Sequence, residues 1–364
     1  MMYLENNILW VWLDSVCRIS RAKQNRLLSH FGDIESIYKA DKEEYLSVYD
    51  FTAEDIRLLS DKDLNRAKDE LKNLSDIGGQ VISIDDERYP YLLKQIHTPP
   101  NILYVRGQLF DLNSYLMIAM VGTRKASGYG LTTAKGIAKE LSASGAVVVS
   151  GLATGIDAMS HEGALLGKSP TVAVIGCGAD ICYPVSNTGL MKRIIKGGLV
   201  ISEYPLGTIA QKFHFPERNR IISGISSGTI VVEADIKSGS LITAKYALEQ
   251  DRDVFAVPGN INSMNSKGSN YLLKDGANLV TTASDILNFY GCEQIEYIPR
   301  EEIISPKHTA ESKILEALNT DSLHKDTICE KTGIGASEVN SLLLLMELKG
   351  MVIHLPGGYY SKPI

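Results

Sequence analysis

The sequence predicts an α/β protein: a doubly wound parallel sheet, preceded by a small all-helical domain and followed by three helices and a hairpin. Three observations carry this. From Met117 to Val257, short β-branched runs alternate with helical segments at regular spacing, the pattern of parallel strands covered by helices on both faces. Before Leu74 the apolar residues recur at helical spacing. After Pro306, three helical segments lead to Pro356-Gly357-Gly358 between two short apolar runs, a hairpin signature.

Composition bounds the answer. A chain of 364 residues with 44% hydrophobic content holds two or three domains and needs no staple for its core. The formal net charge of -6 argues against a basic coat but leaves room for a local basic groove on an acidic body. The five cysteines, Cys17, Cys177, Cys182, Cys292 and Cys329, form no CxxC pair and read as small core residues in a reducing cytoplasm. Ile8 to Leu13 is too short for a signal peptide and is followed by Asp14. No apolar run is long enough to span a membrane.

The helical domain covers residues 1–75. Its helices are expected at Ile8 to Val16, Ala22 to Phe31, Ile34 to Ala40, Glu54 to Leu59 and Asp63 to Leu74. Phe31-Gly32-Asp33 is a helix stop followed by a cap. Short helices on tight turns resemble a SAM-like or helix-hairpin module, with packing or protein contact as the main role. Arg18, Arg21, Lys23 and Arg26 are its one basic group, and a solvated helix face accounts for them.

The central domain covers residues 79–291. Val81 to Ile84 and Leu103 to Arg106 read as two lead-in strands. Met117 to Val121, Val147 to Ser150, Thr171 to Ile175, Leu199 to Ser202, Thr229 to Val232 and Val254 to Val257 follow as six more. Helices at Leu131 to Ser144 and Ile156 to Leu166 lie among them. In such sheets ligands bind beyond the carboxyl ends of the strands, and the informative residues sit in those loops. The first is Gly122 to Gly130, neither GxGxxG nor GxxxxGK[ST], whose glycines let amides approach phosphate with Arg124 as a charge clamp. The second holds Asp157 at the start of a helix, with His161 one turn on as a packing residue. The third holds Cys177, which has no base partner in sequence, and Tyr183-Pro184. After the fourth strand, Phe213, Phe215, Arg218 and Arg220 put rings and fixed positive charge in one segment. After the fifth, Ser238-Gly239-Ser240 opens a helix at Leu241, and a small-residue turn there leaves amide groups free to meet an anion.

Rings, guanidinium groups and a phosphate nest suit a single strand of nucleic acid. Phosphates would dock on Ser238, Gly239 and Ser240 and on Arg124 and Lys212. Phe215 would stack a base, a contact of about 1–3 kcal/mol. Arg220 has a second reading, in which it pairs with Glu203 or Glu233 and holds the loops. Little here reads base edges, so binding should be nearly sequence-blind and salt-sensitive. No His, Cys, Asp or Glu cluster has metal-ligand spacing, and no cofactor is expected. Gly224 to Gly228 matches GxSxG around Ser226 but leads into a strand, so it reads as a helix-to-strand turn, not a nucleophile elbow.

These residues resemble the DNA-processing protein A (DprA/Smf) family. The resemblance rests on VGTRKASGYG (Val121 to Gly130), VVSGLATGIDAMSHEGAL (Val148 to Leu165), VIGCGADICYP (Val174 to Pro184) and SEYPLGT (Ser202 to Thr208). It continues through FPERNRIISGIS (Phe215 to Ser226), VVEADIKSGSLITAKYALEQDRDVFAVPG (Val231 to Gly259) and KGSNYLLKDGA (Lys267 to Ala277). It implies an extended Rossmann-like domain that binds single-stranded DNA. It further implies a cytoplasmic homodimer that loads the recombinase RecA onto incoming strands during natural transformation, with single-strand-binding protein as a further partner and no catalysis. By position it assigns Arg124, Lys212, Phe215, Arg218, Arg220, Ser238, Gly239, Ser240 and Lys245 to the DNA groove. Three positions depart from the family pattern: Thr123 for serine, Ala210 for proline, and Asp251 for a glycine before Arg252. The last puts a helix C-cap in question. An enzymatic alternative is a nucleoside monophosphate phosphoribohydrolase-like activity, loosely echoed in SGSLITAKYALE (Ser238 to Glu249) but without its doubled glycine.

Residues 292–305 read as a linker and 306–364 as a winged-helix domain. Its helices are expected at Ala310 to Leu318, Lys325 to Lys331 and Ala336 to Lys349. Six lysines face seven acidic residues there, and the presumed recognition helix carries Glu338 and an apolar run from Leu342 to Met346. Packing or protein contact fits that helix better than groove reading, and the same charges weigh against a sequence-specific transcription regulator.

Overall fold

The computed structural model describes residues 2–16, 21–292, 310–318, 323–348, 351–355 and 357–362. Cys17, Arg18, the Arg21 side chain, Pro356 and all of the expected linker except Cys292 lie outside the described residues. The chain divides into two compact units, Met1–Tyr297 and Ile298–Ile364.

The first unit opens with six helices: α1 (Met2–Ser15), α2 (Arg21–Phe31), α3 (Ile34–Lys39), α4 (Lys42–Leu46), α5 (Ala53–Leu59) and α6 (Asn65–Asp76). Asp33 caps α3 through the Ser36 amide, as the Gly32-Asp33 stop implies. Helix α4 escaped the sequence reading because one turn holds too few apolar residues to show a period; its signal was the Asp41–Glu44 capping box. The expected basic face is not free: Lys23 bonds Asp55 at 2.5 Å and Arg26 bonds Asp50 at 2.5 Å.

The lead-in strands β1 (Gly79–Ser83) and β2 (Ile102–Gly107) flank the short helix α7 (Tyr91–Lys94). Six strands then alternate with helices: β3 (Met117–Val121), α8 (Gly128–Ala143), β4 (Val147–Ser150), α9 (Ile156–Ala164), β5 (Thr171–Ile175), α10 (Thr188–Gly197), β6 (Leu199–Ser202), α11 (His214–Gly224), β7 (Gly228–Val231), α12 (Ser240–Glu249) and β8 (Asp253–Ala256). Helix α13 (Lys267–Lys274), strand β9 (Asn278–Leu279) and helix α14 (Ala283–Phe289) finish the unit. The sheet runs β1-β2-β6-β5-β4-β3-β7-β8-β9. Strands β6 through β9 in that order pair parallel, whereas β1 and β2 join antiparallel at one edge. The parallel sheet expected from the alternation is the body of the sheet, and the two lead-in strands add an antiparallel margin to it.

Alternation along the strands explains the layers. Ala119, Val121, Val149 and Val174 share one core with α11 and α12. Ile118, Met120, Val148 and Ile230 share another with α8 and α14. Successive residues of β3 thus face opposite helical layers, and the sheet is doubly wound. The helical segment is not a free-standing body. Trp10, Val11, Ile37 and Leu59 share one core with Val81, Ile102 and Tyr104 of the edge strands, so β1 and β2 join the bundle to the sheet.

In the second unit, α15 (Ala310–Ala317), α16 (Lys325–Thr332) and α17 (Ala336–Leu348) accompany β10 (Leu323–His324), β11 (Ile353–Leu355) and β12 (Tyr359–Ser361) in the order β10-β12-β11. This is a winged helix. Strand β10 was hidden because a two-residue strand carries no alternation. Of the apolar run in α17, Leu343 and Met346 are core residues while Leu345 is exposed.

Candidate nucleic-acid interface

The chain runs outward from β3 through β4, β5 and β6, then returns to place β7 on the other side of β3. Where the order reverses, the loops leaving neighbouring strands part, and a crevice opens at their carboxyl ends. Here it is a cleft of about 730 Å³, lined by the Gly122 to Lys125 loop, the start of α11 and the Asp235 to Ser240 turn.

The loop after β3 carries Arg124 and Lys125, both exposed. Each of its ends is fixed. Thr123 N donates to Glu233 O at 2.7 Å. Ser127, the N-cap of α8, donates its amide and its hydroxyl to the Glu233 carboxylate at 2.9 and 2.5 Å. Gly155, at φ +79, lies under the loop, where a Cβ would overlap Thr123 O and come within 2.8 Å of Arg124 O. Thr123, the departure from serine, keeps its hydroxyl in use by accepting from Lys125 N at 3.2 Å.

Helix α11 presents Phe215 to the cleft. The Arg124 guanidinium lies 5.3 Å from its ring centroid, and the exposed Tyr183 ring lies 5.3 Å away at 36°. Lys212, one turn earlier, is exposed at the rim. The cleft therefore has aromatic surface at its centre and exposed positive charge beside it, the composition that single-strand grooves use.

The Ser238-Gly239-Ser240 turn starts α12 at Ser240, one residue before the expected Leu241. Its amides are less free than the sequence implies. Ser238 N reaches Asp235 O at 2.9 Å, Leu241 N reaches Ser238 O at 3.1 Å, and Ser240 N reaches Ser238 Oγ at 3.3 Å. The tight turn closes its own hydrogen bonds. What it offers an anion is the Ser238–Ser240 hydroxyl pair, 2.7 Å apart, and the open flank of Gly239.

Three other assigned residues sit differently. Arg218 is 4% exposed. It donates to Gly151 O at 2.8 Å, to Val174 O, and to Asn219 Oδ1 at 3.2 Å. It forms part of the cleft floor beside the buried Asp157, whose carboxyl burial pushes up while Arg218 pulls it down. Arg220 faces away from the cleft and pairs with the buried Glu203 at 2.5 Å, the second of the readings open to it. Lys245 is also outside, on the solvent side of α12 in an ion pair with Glu249 at 3.6 Å. Periodicity alone could separate Arg218 from Arg220 only by knowing which face of α11 meets the sheet. Lys125, Tyr183, Asn219 and Asn265 line the cleft without having been assigned. Adjacency to Arg124 was a usable signal for Lys125, whereas Asn265 arrives from a loop 140 residues away.

His161 is fully buried and packs as expected, sharing a hydrogen bond of 2.8 Å with Thr171 Oγ1. Thr171 Oγ1 donates its own proton to Val148 O, so His161 Nδ1 carries the hydrogen. Cys177 is buried, and burial pushes its thiol up to about 11, far from a reactive thiolate. Ser226 lies in the helix-to-strand turn with its hydroxyl on Ile222 O. Asp251 adopts φ +55, so the aspartate takes the left-handed conformation a glycine would supply and the α12 C-terminus is intact. Among the described residues, no group of three His, Cys, Asp or Glu could hold a metal ion, and no helix is long and apolar enough to cross a membrane.

Comparison with known proteins identifies the family and fold. The family profile of DNA recombination-mediator protein A matches residues 80–291, and that of the DprA winged helix domain matches residues 299–358. Protein Smf of Escherichia coli is 37% identical over 286 residues, covering 77% of this chain and 76% of its own. The X-ray structure of DNA processing protein A from Streptococcus pneumoniae superposes with a TM-score of 0.70 at 35% identity, covering 78% of this chain and 97% of its own. A structure of DNA processing protein A from Helicobacter pylori, titled for its single-stranded DNA binding mode, gives 0.53 at 32% identity, covering 58% of this chain and 95% of its own.

Proposed function

Because the chain belongs to the DNA recombination-mediator protein A (DprA/Smf) family, we propose that it binds single-stranded DNA in the strand-end cleft, largely without sequence preference. It does so as a cytoplasmic homodimer that catalyses no reaction. It helps load RecA onto incoming strands during DNA uptake and recombination, alongside single-strand-binding protein. One observation carries the reading: Arg124, Phe215, Lys212 and the Ser238–Ser240 hydroxyls converge on a single open cleft. Arg124 and Lys212 supply exposed charge for phosphates, and the Phe215–Tyr183 pair supplies ring surface for bases. The H. pylori relative, titled for single-stranded DNA binding, supports the same ligand here. Arg218 serves as the floor of the cleft, and Arg220 and Lys245 leave the list of DNA contacts.

The test is RecA filament formation on single strands already coated with single-strand-binding protein, followed by fluorescence or electron microscopy. Adding this protein should shorten the lag before filaments appear. An unchanged lag, with oligo(dT) binding intact, removes the loading function and leaves the DNA site.

A further inference from the structure

A buried carboxylate bonded to the loop of a cleft built for phosphate needs donors for its charge. Glu233 is such a residue. It lies two residues past the end of β7 and is 2% exposed. Its surroundings account for it. One carboxylate oxygen accepts the Ser127 amide at 2.9 Å and the other the Ser127 hydroxyl at 2.5 Å. Its own carbonyl accepts the Thr123 amide at 2.7 Å. The same residue therefore grips the first and last turns of the loop that carries Arg124. The fit is tight. Gly130 is buried against it, and a Cβ there would overlap the Glu233 carboxylate. Two residues on, the chain from Glu233 enters the Asp235 to Ser240 turn, which forms the facing wall.

We propose that Glu233 is the positioning residue of the Arg124 loop. By holding Ser127 and Thr123 it fixes the distance between the Arg124 wall and the Ser238 wall across the switch point of the sheet. This rests on the single-strand DNA site proposed above. The carboxylate does not touch DNA. Its charge is spent on two donors at the start of α8, so the cleft keeps a net positive lip. The opposite side of the loop has its own support, since Ile156 N donates to Thr123 O at 3.3 Å. Thr154 Oγ1 donates to Arg124 O at 3.5 Å and Asn265 Nδ2 to Lys125 O at 2.9 Å, so the middle of the loop is tied as well, and Glu233 sets the Ser127 end from which Arg124 is aimed.

Such coupling is measurable by a double-mutant cycle. Binding of fluorescein-labelled oligo(dT) is followed by anisotropy over a salt series, with thermal melts recorded for each variant. Glu233→Ala should weaken binding about as much as Arg124→Ala does, roughly tenfold. It should also lower the salt slope by about 0.7, the loss of one phosphate contact on a single strand. Combined with Arg124→Ala, it should add nothing. Combined with Lys212→Ala, it should retain its full tenfold effect. Additive losses in the Arg124 background overturn the positioning role. Arg124→Ala binding like the wild type overturns the DNA site itself, a different result from the same titrations. If Glu233→Ala fails to fold, Ser127→Ala removes the 2.5 Å contact and keeps the buried acid. It should show the same coupling to Arg124, and full additivity there overturns the proposal.

Discussion

Arg220 Nη2 and Glu203 Oε2 meet at 2.5 Å, with the two side chains 11% and 2% exposed. Glu203 opens the loop after β6, and Arg220 lies two turns into α11. The pair thus joins the segment that delivers Lys212 to the helix that carries Phe215. Gln250 reinforces it by donating to Arg220 O at 3.0 Å.

Breaking that pair should cost stability. Removing one partner of a buried ion pair leaves an uncompensated charge, worth about 3–5 kcal/mol. Arg220→Ala should therefore lower the urea midpoint strongly, while the folded fraction still binds oligo(dT). A variant with wild-type stability and lost DNA binding would return Arg220 to the DNA surface.

Reversing charge at both Arg124 and Lys212 should abolish oligo(dT) binding in gel shifts without moving Tm. Both side chains are exposed, so neither supports the core. Unchanged shifts would sink the cleft as the DNA site.

Gly155→Ala should damage the loop from below. At φ +79, with a Cβ overlapping Thr123 O, alanine is strained in the backbone and displaces the Arg124 loop. A loss of more than about 1 kcal/mol is expected, together with weaker DNA binding. Denaturation and anisotropy on the same sample check both halves.

Acid should weaken the fold through His161. Burial lowers its pKa to about 3 from an ordinary 6.5. The unfolded chain therefore takes up a proton that the folded chain refuses. Stability from this group is complete above about 6.5 and is lost progressively as pH falls toward 3. His161→Asn should flatten the pH dependence of the urea midpoint between pH 7 and 4.5. A profile parallel to the wild type would show that another group sets the acid limb.

Much of the fold was legible in the sequence. Strands β3, β4, β5 and β6 run over the residues that their β-branched stretches mark, because a strand covered on both faces must be apolar throughout. Among the missed elements, α4, α7, β9 and β10 have two to five residues, too few to display a period, while α13 and α14, of eight and seven residues, also went unmarked. The edge strands β1 and β2 were visible as strands, but their antiparallel pairing was not. Strand β2 pairs antiparallel with β6, about a hundred residues away, and local pattern carries no record of that partner.

The candidate site divides the same way. The sequence alone determined which residue types gather at the strand ends: glycine loops, arginines, a phenylalanine and a serine turn. A loop's chemistry is written locally, and a parallel sheet sends all such loops to one edge. Only the tertiary structure decided which of them face the cleft. Arg218 and Arg220 are two positions apart, so the 3.6-residue turn separates them by most of a half circle. One became buried floor, and the other closed on Glu203. Glu233 drew no assignment beyond a possible arginine partner, because its donors come from Ser127, 106 residues earlier. Whether a charge binds a ligand or holds a neighbour depends on what folding brings beside it, and that is set by packing across the sheet.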